Sequence, residues 1–171
     1  DKGLRLDAAI AKATLVDRAA ETRFNPLQAS GQARMLGDAW RGTFAVSDLR
    51  GHTLADATLR HDGAKGAGGI TFDTGILAFA PGGLQPAELS PLAELVASPA
   101  TGQARFQGEM TWTETTNSSR GVLDVPGFEF RSPAGPITGV QGRVEFSSLA
   151  PFVTRGPQTL SAQRVAFMAP L

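Results

Sequence analysis

Cysteine is absent from the 171-residue chain, which excludes disulfides and thiolate metal sites together. An oxidising compartment is permitted by that absence but not indicated by it. A surplus of either charge is missing too: 16 basic and 16 acidic residues give a formal net charge of zero. The electrostatic term on which nonspecific nucleic-acid binding depends is therefore lacking, and no run of basic residues replaces it. Nucleic acid is not an expected partner. No apolar run is long enough to cross a membrane as a helix, and no signal-peptide pattern is present. The first residue is Asp rather than Met, so the expectation is a processed chain or a piece of a longer one, with any membrane anchor outside it.

Catalytic and metal motifs are scarce in the same way. His52 and His61 are the only histidines, nine residues apart and in different predicted segments. With scattered carboxylates they make neither a metal site nor a triad, so no metal and no cofactor are expected. Gly63-Ala64-Lys65-Gly66-Ala67-Gly68-Gly69 has the glycines of a phosphate cradle, but a P-loop needs Lys-Ser or Lys-Thr and a following helix. Here a strand pattern follows, so the segment reads as a hairpin loop. Glu109, Glu114, Asp124, Glu129 and Glu145 fall on polar strand faces, where solvated charge is the default and a glycosidase pair is not indicated. The chain is not expected to be an enzyme.

What is present is a folded composition, 42% hydrophobic and 19% charged, carrying period-two alternation. Ile70 and Phe72 oppose Thr71 and Asp73; Phe106, Met110 and Trp112 oppose Arg105, Gln107, Glu109 and Thr111. Leu123 and Val125 oppose Val122 and Asp124, Phe128 and Phe130 oppose Glu129 and Arg131, and Val144 and Phe146 oppose Arg143 and Glu145. Trp40, Phe44 and Val46 face away from Arg41, Thr43 and Ser47. Such alternation predicts antiparallel strands with one apolar and one wet face. Turns are expected at Asp62-Gly63, Asn117-Ser118-Ser119, Val125-Pro126-Gly127 and Ser132–Pro136. Ser90-Pro91 predicts a helix start, with Leu92, Leu95 and Val96 at helical spacing and Pro99 ending it. Ser148–Phe152 reads as a single helical turn, and 7–20 as a strand despite its alanines.

The chain also repeats itself. Gly31-Gln32-Ala33-Arg34 returns as Gly102-Gln103-Ala104-Arg105, Trp40 matches Trp112, Ile70-x-Phe72 matches Val144-x-Phe146, and Gln85 matches Gln158, at offsets between 71 and 74. The expectation is one β-rich module over 1–171 with internal units at about 31–100 and 102–171.

At Leu77-x-Phe79-x-Pro81-x-Gly83-Leu84-Gln85-Pro86-x-x-Leu89-Ser90-Pro91 the chain resembles the YdbH-like branch of the AsmA superfamily. The resemblance resumes at Gly102-x-Ala104-x-Phe106 with Trp112, then at Gly142-x-Val144-x-Phe146-x-x-Leu149-x-Pro151 and Pro157-Gln158-x-Leu160. It spans roughly 68–171; residues 1–67 carry little of the pattern, and Met168-Ala169-Pro170-Leu171 lacks the glycine expected before the closing Pro-Leu. The resemblance implies a curled β-groove within a periplasmic protein anchored in the inner membrane of a Gram-negative bacterium. Its implied partners are phospholipid acyl chains and adjacent β-segments of the same parent chain, with membrane association only through parts outside this sequence. It brings no catalytic residues.

The expected fold is therefore mainly β, antiparallel strands in a U-shaped sheet with one or two short helices; a closed β-sandwich or barrel is the alternative. Burying a lipid tail contributes ~0.8 kcal/mol per methylene, so a carrier needs a continuous apolar lining. The residues expected to form it are Ile70, Phe72, Phe106, Met110, Trp112, Leu123, Val125, Phe128, Phe130, Val144 and Phe146. In the alternative they fill the closed core of a structural or protein-binding domain.

Overall fold

The computed structural model describes residues 3–18, 20, 22–94 and 99–166. The alternating runs become β1 (Arg5–Leu15), β2 (Leu27–Leu36), β3 (Ala39–Ser47), β4 (Thr53–Asp62), β5 (Ala67–Asp73) and β6 (Leu77–Phe79). Two short helices follow, α1 (Pro86–Leu89) and α2 (Pro91–Glu94). Then come β7 (Ala100–Trp112), β8 (Asn117–Ser132), β9 (Gly135–Leu149), β10 (Phe152–Thr154), β11 (Leu160–Ser161) and β12 (Arg164–Val165). The predicted Leu95 and Val96 of the helix, and the closing Met168–Leu171, lie outside the described residues.

All twelve strands belong to one antiparallel sheet, with β1 at one edge and β10, β11 and β12 laid in succession along β9 at the other. The sheet does not close into a barrel, so the closed alternative is not realised. Surface area agrees: the chain exposes 11272 Å², where a compact monomer of 17.9 kDa exposes about 8,000 Å².

The expected strand over 7–20 is realised as β1 up to Leu15, and residues 16–18 are not strand. Two expected turns are overturned. Asn117-Ser118-Ser119 opens β8, and the chain reverses one step earlier, where the Thr113 N–H donates to the Thr116 carbonyl at 2.8 Å. Val125-Pro126-Gly127 is a bulge inside β8, because the sheet's long pairing with β7 and β9 continues on both sides of it. Ser148–Phe152 is likewise no helical turn: β9 runs to Leu149 and β10 begins at Phe152. Further register shifts at Gln103/Arg105 and Phe128/Phe130 sit near the β8 bulge. Bulges bend and twist the strands that carry them, and this line bends the three longest strands of the sheet.

Candidate functional site

Directly paired residues of neighbouring strands point to the same face of a sheet. By that rule the register gathers all eleven expected residues on one face. Ile70 pairs with Met110, Gly68 with Trp112, Phe106 with Leu123, and Leu123 with Val144. Phe72, Gly108, Gly121 and Phe146 form one continuous row across four strands. The bulge at Pro126-Gly127 matters here. Were β8 regular through these residues, Phe128, five positions after Leu123, would turn with Phe130 to the opposite face; the bulge absorbs one residue, and they pair with Gly102 and Ala100 on the apolar side.

Rings from different strands meet across this face. Centroids lie 5.6 Å apart for Phe72–Phe106, 6.0 Å for Phe106–Phe146, 5.7 Å for Phe146–Phe152 and 5.5 Å for Phe79–Phe128. Phe106 and Phe146 belong to strands two apart, which in a flat sheet lie about 9.6 Å from each other. They meet because Gly121 stands between them: a Cβ there would come within 2.9 Å of the Phe106 ring and of Leu149. Gly108 lies under Phe72 in the same way.

Coverage of the face is uneven. Where β6 leads into the helices, Leu54, Phe79 and Leu84 form a buried cluster, with Leu27, Leu77, Leu89, Ala104 and Phe128 against it. The helical segment is fastened by side chains: Gln85 accepts from the Ala100 N–H at 2.8 Å and donates to the Ala100 carbonyl at 2.9 Å, while Asn25 donates to the carbonyls of Ala87 and Glu88. Of the eleven expected residues only Val125 is buried; Met110 is 39% exposed and the other nine are half-buried. Phe128 packs on the capped cluster, whereas Ile70, Phe72, Phe106, Met110, Trp112 and Phe146 take no part in it.

The matched glutamines of the repeat share a role, since Gln158 also closes a loop on backbone, accepting from the Glu145 N–H at 3.1 Å and donating to the Arg155 carbonyl at 2.9 Å. The tetrapeptides do not sit alike. Gly31–Arg34 lies in β2 with Trp40 beyond a hairpin on β3, whereas Gly102–Arg105 and Trp112 share β7.

The opposite face is polar and cross-linked by ion pairs: Arg34 with Asp7, Arg105 with Asp73, Arg120 with Glu109, and Arg143 with Asp124 at 3.2 Å. The Arg105 guanidinium, with the Gly75 N–H and Gln107, holds the Asp73 carboxyl far below the usual carboxylate range against a smaller opposing effect of burial. Asp48 is buried. Burial works to raise its pKa, but hydrogen bonds from the His52 ring, the His52 N–H and the Arg50 N–H together lower it. Oxygens of Asp48 and Glu88 and the His52 ring nitrogen lie within 4.8 Å of one another. Each has a partner: His52 Nδ1 donates to Asp48 Oδ2 at 2.7 Å, and Glu88 pairs with Arg50 and accepts from the Gln85 N–H. With the Arg50 guanidinium at Glu88 and the His52 ring at Asp48, the group is a clasp between the β3–β4 loop and α1. Sequence spacing hid it, because Glu88 is 36 residues from His52.

The described residues thus form an open sheet with one apolar face, capped at one end, and one polar face cross-linked by ion pairs. The sequence model of one family, described as YdbH-like, intermembrane phospholipid transport protein YdbH, matches residues 1–167. The chain belongs to the YdbH-like family. Among curated proteins and among solved structures nothing matches. The YdbH-like match includes residues 1–67, where the sequence shows little of the family's pattern. That half supplies β1–β4, whose Ala33, Gly42 and Leu59 extend the Ile70–Met110 row. Ala33, Gly42 and Phe79 escaped the expected set because small residues and a three-residue strand give a weak alternation signal; Phe44 alternates clearly with Trp40 and Val46 but is not in the expected lining. A YdbH-like chain is part of a phospholipid transport family, not of an enzyme class.

Proposed function

We propose that this chain is a periplasmic segment of a hydrophobic-groove protein, sheltering phospholipid acyl chains on their way between the inner and outer membranes. The observation that carries the reading is the half-exposed apolar face on which Ile70, Phe72, Phe106, Met110, Trp112 and Phe146 stand uncovered. Leaving such a face in water is unfavourable by ~25 cal/mol per Å², and an acyl chain laid on it removes water from both surfaces at once. The contact needs no directional bond, so a tail can slide along it. Adjacent β-segments of the parent chain would continue the sheet at the β1 and β10–β12 edges, and the two sequence units would lengthen one lining. Membrane attachment would reside outside this chain.

A photo-crosslinker at Met110, in cells producing the parent protein, is expected to capture phospholipid. Failure to capture it there, with the protein present at normal levels, overturns the reading. Phe106→Asp or Phe146→Asp should block lipid passage while the sheet persists.

A further inference from the structure

Across β5–β9 three arginines of the polar face, Arg105, Arg120 and Arg143, each meet a carboxylate. Across β2–β4 it does not. Arg34, Arg41 and Arg60 stand in direct register on three adjacent strands, and beyond Arg60 the row continues to Gly69, which offers no side chain. Arg34 shares Asp7 with Arg5, while Arg41 and Arg60 have no ion-pair partner among the described residues. Like charges directly opposite on neighbouring strands destabilise a sheet.

The next row on the same face is Gln32, Thr43, Thr58 and Thr71, again in direct register. Its side-chain amide and hydroxyls make no hydrogen bond among the described residues. Open depressions of about 590 and 600 Å³ flank the arginines and share Arg41, Thr58 and Arg60 as lining. The nearby carboxylates are engaged or displaced: Asp7 is held by two arginines and Glu109 by Arg120, Asp62, which lines one depression a row beyond Arg60, pairs with Lys65 at 3.5 Å, and Asp56 lies one row beyond the hydroxyls. Two of the three guanidiniums have no ion-pair partner among the described residues, and hydroxyls able to donate hydrogen bonds stand beside them.

We propose that Arg41 and Arg60, supported by Arg34, Thr43 and Thr58, bind a phosphate group. Guanidinium forks match phosphate oxygens in pairs, and strands about 4.8 Å apart place two forks on one tetrahedral anion. The ligand is an accessible phosphate, either the head group of an anionic phospholipid or the free ion. The site lies on the face opposite the apolar lining and does not rest on the acyl-chain reading.

The test is a titration of the 171-residue chain, followed by amide and arginine side-chain NMR signals, at constant ionic strength held with sodium chloride. Sodium phosphate and, separately, monomeric dihexanoyl phosphatidylglycerol are added. Shifts are expected at Arg34, Arg41, Arg60, Thr43 and Thr58. Arg41→Gln and Arg60→Gln should each weaken binding by about tenfold, with Arg131→Gln, an exposed arginine elsewhere on the face, as the unchanged control. Both variants should melt at the same or a higher temperature, since each removes a like-charge neighbour. Arg41→Lys keeps the charge and loses the fork, so it should bind more weakly than the native chain. Tighter binding of the lipid than of phosphate identifies the head group as the source, and equal binding identifies the free ion. Shifts spread evenly over all arginines, or Gln variants that titrate like the native chain, overturn the proposal. A chain that binds phosphate here but captures no lipid at Met110 would refute the groove reading and leave this site standing.

Discussion

The two ends of the apolar face are made of the same kinds of residue, yet they have opposite fates. Leu54 and Phe79, beside the helical segment, are 5% and 6% exposed; Met110, toward the other end of β7, is 39% exposed. The difference is the helical segment that covers one end. Where Leu84 and Leu89 descend on the sheet, apolar side chains become core and stabilise the fold. Where nothing descends, side chains of the same kind remain available to a ligand. Hydrophobicity alone therefore does not distinguish lining from core in this protein.

The largest test of that contrast is truncation. Leu54→Ala is expected to cost about 3 kcal/mol, the usual size for a buried leucine, whereas Met110→Ala should stay below about 1 kcal/mol. Urea unfolding of the two variants measures both, and equal losses would erase the distinction between the ends. The floor of the bare region is tested at its glycines. Gly108→Ala puts a Cβ into the Phe72 ring and should cost about 2 kcal/mol. Gly127→Ala meets nothing within 4 Å and should change stability by no more than about 0.5 kcal/mol.

A smaller effect separates the two faces. Asp73 has its pKa lowered in the folded state, so its contribution is present above the unfolded carboxylate pKa and is lost as pH falls toward the folded value. Asp73→Asn should therefore destabilise by about 1 kcal/mol at neutral pH, allowing for its partial exposure, and the gap from the native chain should shrink below about pH 4. Chemical denaturation at pH 7 and pH 3 reads the sign. Smallest of all, Arg50→Ala breaks an exposed contact to Glu88 and should cost about 0.5 kcal/mol or less. Its clearer signature is faster amide exchange at Asn25, whose N–H is held by the Leu89 carbonyl of α1.

Period two carried most of the strand assignments, because a strand with one wet face writes its geometry into alternate residues. Within a strand it also carried the face, as for Ile70 with Phe72 and Phe106 with Met110 and Trp112. It failed where backbone geometry breaks the period. Val125-Pro126-Gly127 has turn composition, but long-range pairing with β7 and β9 converts it into a bulge that keeps Phe128 in phase with Leu123. The clasp of Asp48, His52 and Glu88 and the cap of Leu84 over Leu54 gave no local signal, since their members come from separate stretches of the chain.

The sequence by itself determined that this is a β protein with one apolar and one charged strand face, and its motifs determined the family. Only the tertiary structure decided that the sheet stays open, that one end of its apolar face is capped, and that Arg34, Arg41 and Arg60 stand abreast. The physical reason is common to all three. Alternation is a property of neighbours along the chain, whereas closure, coverage and cross-strand register depend on which distant segments pair.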